Sequence, residues 1–170
     1  GGGRPHEGAG QEVMNMAGEA LLKKGDHVIY SVVGNVGTAQ VQGIMAIKVV
    51  KVKNGEYLVD VMPKGVPFLK RARVTFPFDG TDLSDLGGVL AGWSVRADGT
   101  RMGEETGPTK FGDRRLVRFQ RIEVKDDGNV QTEQFVDPVH NFPYAARMSG
   151  HSGEVQFGIM ETNIAWIKDA

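Results

Sequence analysis

The strongest pattern along the chain is an alternation of apolar and polar positions with the two-residue period of a strand. Over residues 43–63, GIMAIKVVKVKNGEYLVDVMP, two runs rich in Val, Ile and Tyr flank Asn54-Gly55. β-Branched and aromatic side chains suit a pleated surface, and Asn-Gly accepts the positive φ angles of a type I′ turn, so the stretch predicts a hairpin. Met45, Ile47 and Val49 share one parity before Val50 and Val52 take the other. Such a switch predicts a bulge that bends the strand and curls the sheet toward a half-barrel.

The same reading extends in both directions. Residues 26–33, DHVIYSVV, predict a first strand with Val28, Tyr30 and Val32 on one face, and residues 34–38, GNVGT, a turn. Residues 66–78 predict a strand in which Val66, Phe68, Ala72, Val74, Phe76 and Phe78 share one side, opposite Leu69, Arg71, Arg73 and Thr75. Residues 88–97, GVLAGWSVRA, read as another strand with Asp98-Gly99 as its turn, and residues 100–108 as a polar loop. Residues 110–124 predict a strand with a second bulge, because Val117 and Phe119 precede Ile122 and Val124 in the opposite parity. After a turn at residues 126–129, residues 130–137 return as a strand, residues 137–148 form a Pro-broken connector, and residues 153–167 close the domain with another parity switch.

Only residues 11–24 show helical spacing, with Val13, Ala17, Ala20, Leu21 and Lys24 on one stripe and Gly25 beyond the end. The expected fold is therefore mainly β: a strongly curved antiparallel sheet or half-barrel with one N-terminal amphipathic helix packed on it. Residues 1–10, half of them Gly, read as a flexible arm and residues 11–170 as a single domain.

Composition narrows the function. Glycine makes up 24 of 170 residues, about twice the ~7% of ordinary proteins, as many short connections require. Twenty basic and 21 acidic residues leave a formal charge of −1, so whole-chain electrostatics favour neither nucleic acid nor an anionic membrane. The absence of cysteine excludes disulfides and thiolate chemistry. No apolar run reaches the ~18 residues of a membrane-crossing helix.

Catalytic patterns are weak. The four histidines show no ligand spacing; His140 and His151 with Asp137 and Glu154 could meet across the connector to hold a metal, but read as ordinary loop residues. Residues 79–85, DGTDLSD, offer three aspartates without EF-hand spacing, and read as a solvated turn or a helix start capped by Asp or Ser. No GxSxG marks a serine nucleophile, and Glu104-Glu105 sits in a polar stretch. The expectation is a protein without enzymatic activity, cofactor or resident metal.

One resemblance is specific to the last third. The segments LVRFQRIEV (116–124), TEQFVD (132–137), HNFPYAARM (140–148) and ETNI (161–164) resemble the later strands of LolA/LolB-like extracytoplasmic proteins. The order of an N-terminal helix followed by successive hairpins is similar as well. Phe142 before Pro143 departs from the small turn residue expected there. The resemblance implies a curved antiparallel sheet folded as an incomplete barrel around a helical lid, an extracytoplasmic location, and in the best-known members the carriage of lipoprotein acyl chains.

Two functional expectations follow. The first is an exported protein, periplasmic, cell-surface or secreted, that holds a hydrophobic small molecule or lipid, or a protein partner, with Met14, Leu21, Met45, Ile47, Tyr57, Phe68 and Trp93 as ligand-facing residues. The second is a structural subunit of an extracellular assembly, a homo-oligomer joined through residues 1–10. For partner contact the sequence offers Gly1, Gly2 and Gly3 on the arm and Arg71, Arg73, Arg115 and Arg118 on strands, where the guanidinium fork matches carboxylates. Nucleic acid and a transmembrane span are not expected.

Overall fold

The computed structural model describes residues 20–78 and 80–169. The strands are β1 (His27–Val36), β2 (Ala39–Lys53), β3 (Glu56–Lys64), β4 (Ala72–Pro77), β5 (Thr100–Thr109), β6 (Gly112–Lys125), β7 (Gly128–Val136), β8 (Pro143–Gly150) and β9 (Gly153–Thr162). Among the described residues three helices accompany them: α1 (Ser84–Ala91), α2 (Val95–Asp98) and α3 (Ala165–Lys168). All nine strands join one antiparallel sheet in the order β4-β3-β2-β1-β9-β8-β7-β6-β5. The sheet is open, because the terminal strands β4 and β5 each have a single neighbour.

The organising hairpin forms as its residues dictate. Asn54 and Gly55 take φ of 54° and 74°, the conformation a type I′ turn needs. Val49 faces Val59 and Lys51 faces Leu58, so Val50 is the inserted residue at the predicted parity switch. A second bulge answers the switch in the closing strand: Tyr30 faces Ile159 and Ile29 faces Glu161, leaving Met160 inserted. That strand ends at Thr162 rather than continuing to residue 167, and Trp166 stands on the single turn of α3.

The core lies on one face. Val28, Tyr30 and Val32 of β1 are buried with Met45, Ile47 and Val49 of β2, Tyr57, Val59 and Val61 of β3, and Val155, Phe157 and Ile159 of β9. Leu83, Leu86 and Leu90 from the start and body of α1 close over them. A smaller cluster joins Trp93 and Val95 to Val117 and Val136.

Several expectations are corrected. The stretch 88–97 is the end of α1 followed by α2, and Gly99 ends α2 instead of turning a hairpin. Its apolar residues belong to a helical stripe, Leu83, Leu86 and Leu90, that starts earlier, and packing on the sheet outweighs the poor helix propensity of Gly87 and Gly88. Residues 100–108 form edge strand β5, polar because an edge strand meets water. Residues 143–150 form β8, with Pro143 at the first strand position, where its missing N–H is tolerated. Of residues 66–78 only Ala72–Pro77 is strand.

The bulge expected in β6 is absent, since β6 pairs with β7 without a slip from Val117 to Lys125. The inserted residue is on β5 instead: Arg101 faces Phe119 and Gly103 faces Arg118, leaving Met102 over. Ile122 and Val124 are 53% and 80% exposed, because the β6–β7 hairpin runs on past the covering helices. Most of the expected N-terminal helix, residues 11–19, lies outside the described residues. Residues 20–24 form a bend and turn, held where Leu21 and Leu22 N–H donate to Tyr57 Oη at 2.8 and 3.1 Å. Among the described residues the helical cover comes from mid-chain.

Candidate functional site

Helix α1 is pinned at its start and along one side. Asp82 Oδ2 accepts from Ser84 Oγ at 2.7 Å and pairs with Arg96, while Asp82 Oδ1 accepts from Asn141 Nδ2 at 2.9 Å. Leu83 N–H donates to His140 C=O at 2.7 Å, tying the helix entry to the connector between β7 and β8. That connector is folded around Asp137, whose carboxylate accepts from the backbone N–H groups of Val139, His140 and Phe142. Farther along, Gly87 lies so close to β7 that an added Cβ would sit 2.0 Å from Gln134 Oε1. Gln134 in turn donates to Trp93 C=O at 2.7 Å.

The helix thus rests on β7 and β8 and leaves a gap toward β4. That gap is a cleft of about 460 Å³, walled by Met45, Val61, Leu69, Ala72, Val74, Phe76 and Val89, with Gly88 on the helix side. A Cβ placed on Gly88 meets nothing within 4 Å, so the space there is open. Lys70 and Asp85, both exposed, supply the only charges of the lining. Partial burial raises the Asp85 pKa from its ordinary value, and neighbouring Asp82 adds to the effect. The arrangement suits an apolar body in the walls with polar atoms held at the rim.

A larger depression of about 700 Å³ lies on the opposite sheet face, over Ser31, Ala145 and Gly158 and under the β5–β6 turn at residues 107–110. Glu105, Thr109 and Lys110 share its lining with Leu116, Phe135 and Ile159.

Of the residues named from sequence, Met45 lines the cleft. Ile47 and Tyr57 are buried in the core nearby, Leu21 packs against that core, and Phe68 is 46% exposed on the β3–β4 loop. Trp93 is buried in the smaller cluster. Met14 and the arm residues Gly1, Gly2 and Gly3 lie outside the described residues. Arg71 and Arg73 stand beside or on β4, while Arg115 and Arg118 stand on β6 near the other end of the strand order. Three of these four are engaged within the fold: Arg73 with Asp60, Arg115 with Glu104, and Arg118 with Glu133.

Metal readings gain no geometry. Asp79 lies outside the described residues, Asp82 is occupied by Arg96, Ser84 and Asn141, and all eight residues of β8 separate His140 from His151. Among the described residues no three His, Asp or Glu side chains gather as a metal cluster, and no helix is long and apolar enough to cross a membrane.

The cleft residues missed from sequence are Val61, Leu69, Lys70, Ala72, Val74, Phe76, Asp85, Gly88 and Val89. The spacing of Leu83, Leu86 and Leu90 after Asp82 was the available signal for α1.

No family model matches the chain, and no curated protein sequence does. Solved structures do. Mycobacterium tuberculosis lipoprotein LppX is 9% identical, with a TM-score of 0.39 over 81% of this chain and 86% of its own. The LolA superfamily protein NE2245 from Nitrosomonas europaea is 10% identical, with a TM-score of 0.31 over 89% of this chain and 91% of its own. Both likenesses are of fold alone.

Proposed function

We propose that the protein is an extracytoplasmic carrier that holds a hydrophobic, lipid-like molecule in the cleft between α1 and β4 and makes or breaks no bonds in it. The observation that carries this reading is the open space beside Gly88, walled by apolar side chains from β2, β3, β4 and α1. An apolar ligand placed there leaves water along its length, at about 0.8 kcal/mol for each methylene buried. The sheet supplies rigid walls, while the β3–β4 loop carrying Leu69 and Lys70 forms the side by which a ligand enters.

The test is to fill the cleft from the helix. In Gly88→Phe the ring occupies space that is empty, and the helix loses a glycine that costs about 1 kcal/mol relative to alanine. Extraction and mass spectrometry of the purified protein, with titration of an environment-sensitive apolar dye, are expected to show a bound lipid-like molecule in the wild type. Binding in Gly88→Phe is expected to fall by about tenfold or more, since several methylenes lose their place at about 0.8 kcal/mol each. Its melting temperature should be equal or higher. A wild type that yields no extractable apolar molecule and binds no dye would remove this reading.

A further inference from the structure

The chemistry of the rim says more about the ligand. Resting on the cleft reading, we propose that the ligand is a single-chain amphiphile with a zwitterionic head, its anionic group on Lys70 and its cationic group on Asp85.

Volume sets the chain number. A methylene is close in size to a water molecule, whose share of the liquid is about 30 Å³, so the 460 Å³ cleft holds on the order of fifteen methylenes. That is the size of one acyl chain.

Charge sets the head. Lys70 and Asp85 are the only ionisable residues of the lining, and both are exposed. Among the described residues neither has an ion pair or a side-chain hydrogen bond. The nearby carboxylate Asp82 is already matched by Arg96, Ser84 and Asn141, which leaves Asp85 as the acidic group open to a cation. A purely anionic head meets repulsion from Asp85, and a purely cationic one meets repulsion from Lys70. A head carrying both signs satisfies each.

The experiment compares four amphiphiles of equal chain length below their micelle concentrations, by calorimetric titration or displacement of the dye from the full chain. They are lysophosphatidylethanolamine (zwitterionic), the fatty acid (anionic), the alkyltrimethylammonium (cationic) and the monoacylglycerol (neutral). The zwitterion is expected to bind about tenfold more tightly than the neutral amphiphile. Lys70→Ala and Asp85→Asn should each weaken the zwitterion by about threefold, the scale of a solvent-exposed charge contact, and weaken the monoacylglycerol by less. Equal affinity for the zwitterionic and neutral probes, or a preference for the fatty acid that Asp85→Asn strengthens, would overturn the assignment of the head while the cleft reading stands. Failure of all four to bind the wild type would overturn both.

Discussion

Phe142→Ala is expected to destabilise the fold by about 4 kcal/mol, within the range for truncating a buried aromatic ring. The ring is fully buried and meets Tyr144 and Trp166 edge-on, with centroids 5.4 and 5.7 Å away. Its backbone closes the connector, because Phe142 N–H donates to Asp137 Oδ1 at 2.7 Å and its carbonyl accepts from Asp137 N–H at 3.0 Å. The same connector receives the first N–H of the α1 entry, so a cavity here loosens the mooring of the helix that walls the cleft. Urea denaturation followed by tryptophan fluorescence measures the loss, and thermal melting should fall by roughly 10 °C for a chain of this size. A loss below about 1 kcal/mol would mean that the neighbours collapse into the space. Phe142 stands where the resemblance implied a small turn residue, and the structure uses the position as a core anchor.

The double replacement Arg118→Met with Arg147→Met is expected to cost about 3 to 5 kcal/mol at neutral pH, the scale of a buried charge left without its partners. Glu133 of β7 is 1% exposed although it lies on the sheet face away from the core cluster. Arg118 of β6 donates to Glu133 Oε2 at 2.7 Å, and Arg147 of β8 donates to Glu133 Oε1 through Nε at 3.0 Å and through Nη2. Both arginines keep partial contact with water, so the buried carboxylate bears the larger penalty when they go.

The pH dependence follows from the sign of the shift. Burial raises the Glu133 pKa, but the hydrogen bonds and charges of Arg118 and Arg147 override it and hold the group below its ordinary value. A depressed pKa in the folded state stabilises above the unfolded value of about 4.3, and that contribution is lost as pH falls through the folded value. In the double variant burial alone acts and raises the pKa, so the protonated form is favoured on folding and acid relieves the penalty. The stability gap between wild type and variant is therefore expected to be widest near pH 7, to start narrowing as pH falls through the variant's raised Glu133 value, above about 4.3, and to go on narrowing until pH passes the wild type's lowered value. A gap constant across that range would show that the variant does not bury a charged Glu133.

Much of the sheet was legible because its signals are local. The hairpin at Asn54-Gly55, the bulge at Val50 and the buried face of Val28, Tyr30 and Val32 follow from turn chemistry and parity over a few residues. β8 was obscured by Pro143, which reads as a breaker until its place at the first strand position is known. The cleft was less legible, with Met45 its one anticipated lining residue, since its walls come from β2, β3, β4, the β3–β4 loop and α1. Whether Val74 or Val89 faces a gap or a neighbour depends on where a helix lands, which parity does not report.

What the chain determined by itself was a set of bent antiparallel ribbons, because the residues that shape a hairpin or a bulge are neighbours in sequence. Tertiary structure decided the rest: that polar residues 100–109 make an edge strand, that Gly87 brings α1 down onto Gln134, and that Arg118 and Arg147 converge on Glu133. The last two rest on groups between 14 and 47 positions apart, brought together only when the sheet assembles, and the energy that selects them is the burial and pairing available at that point and not before.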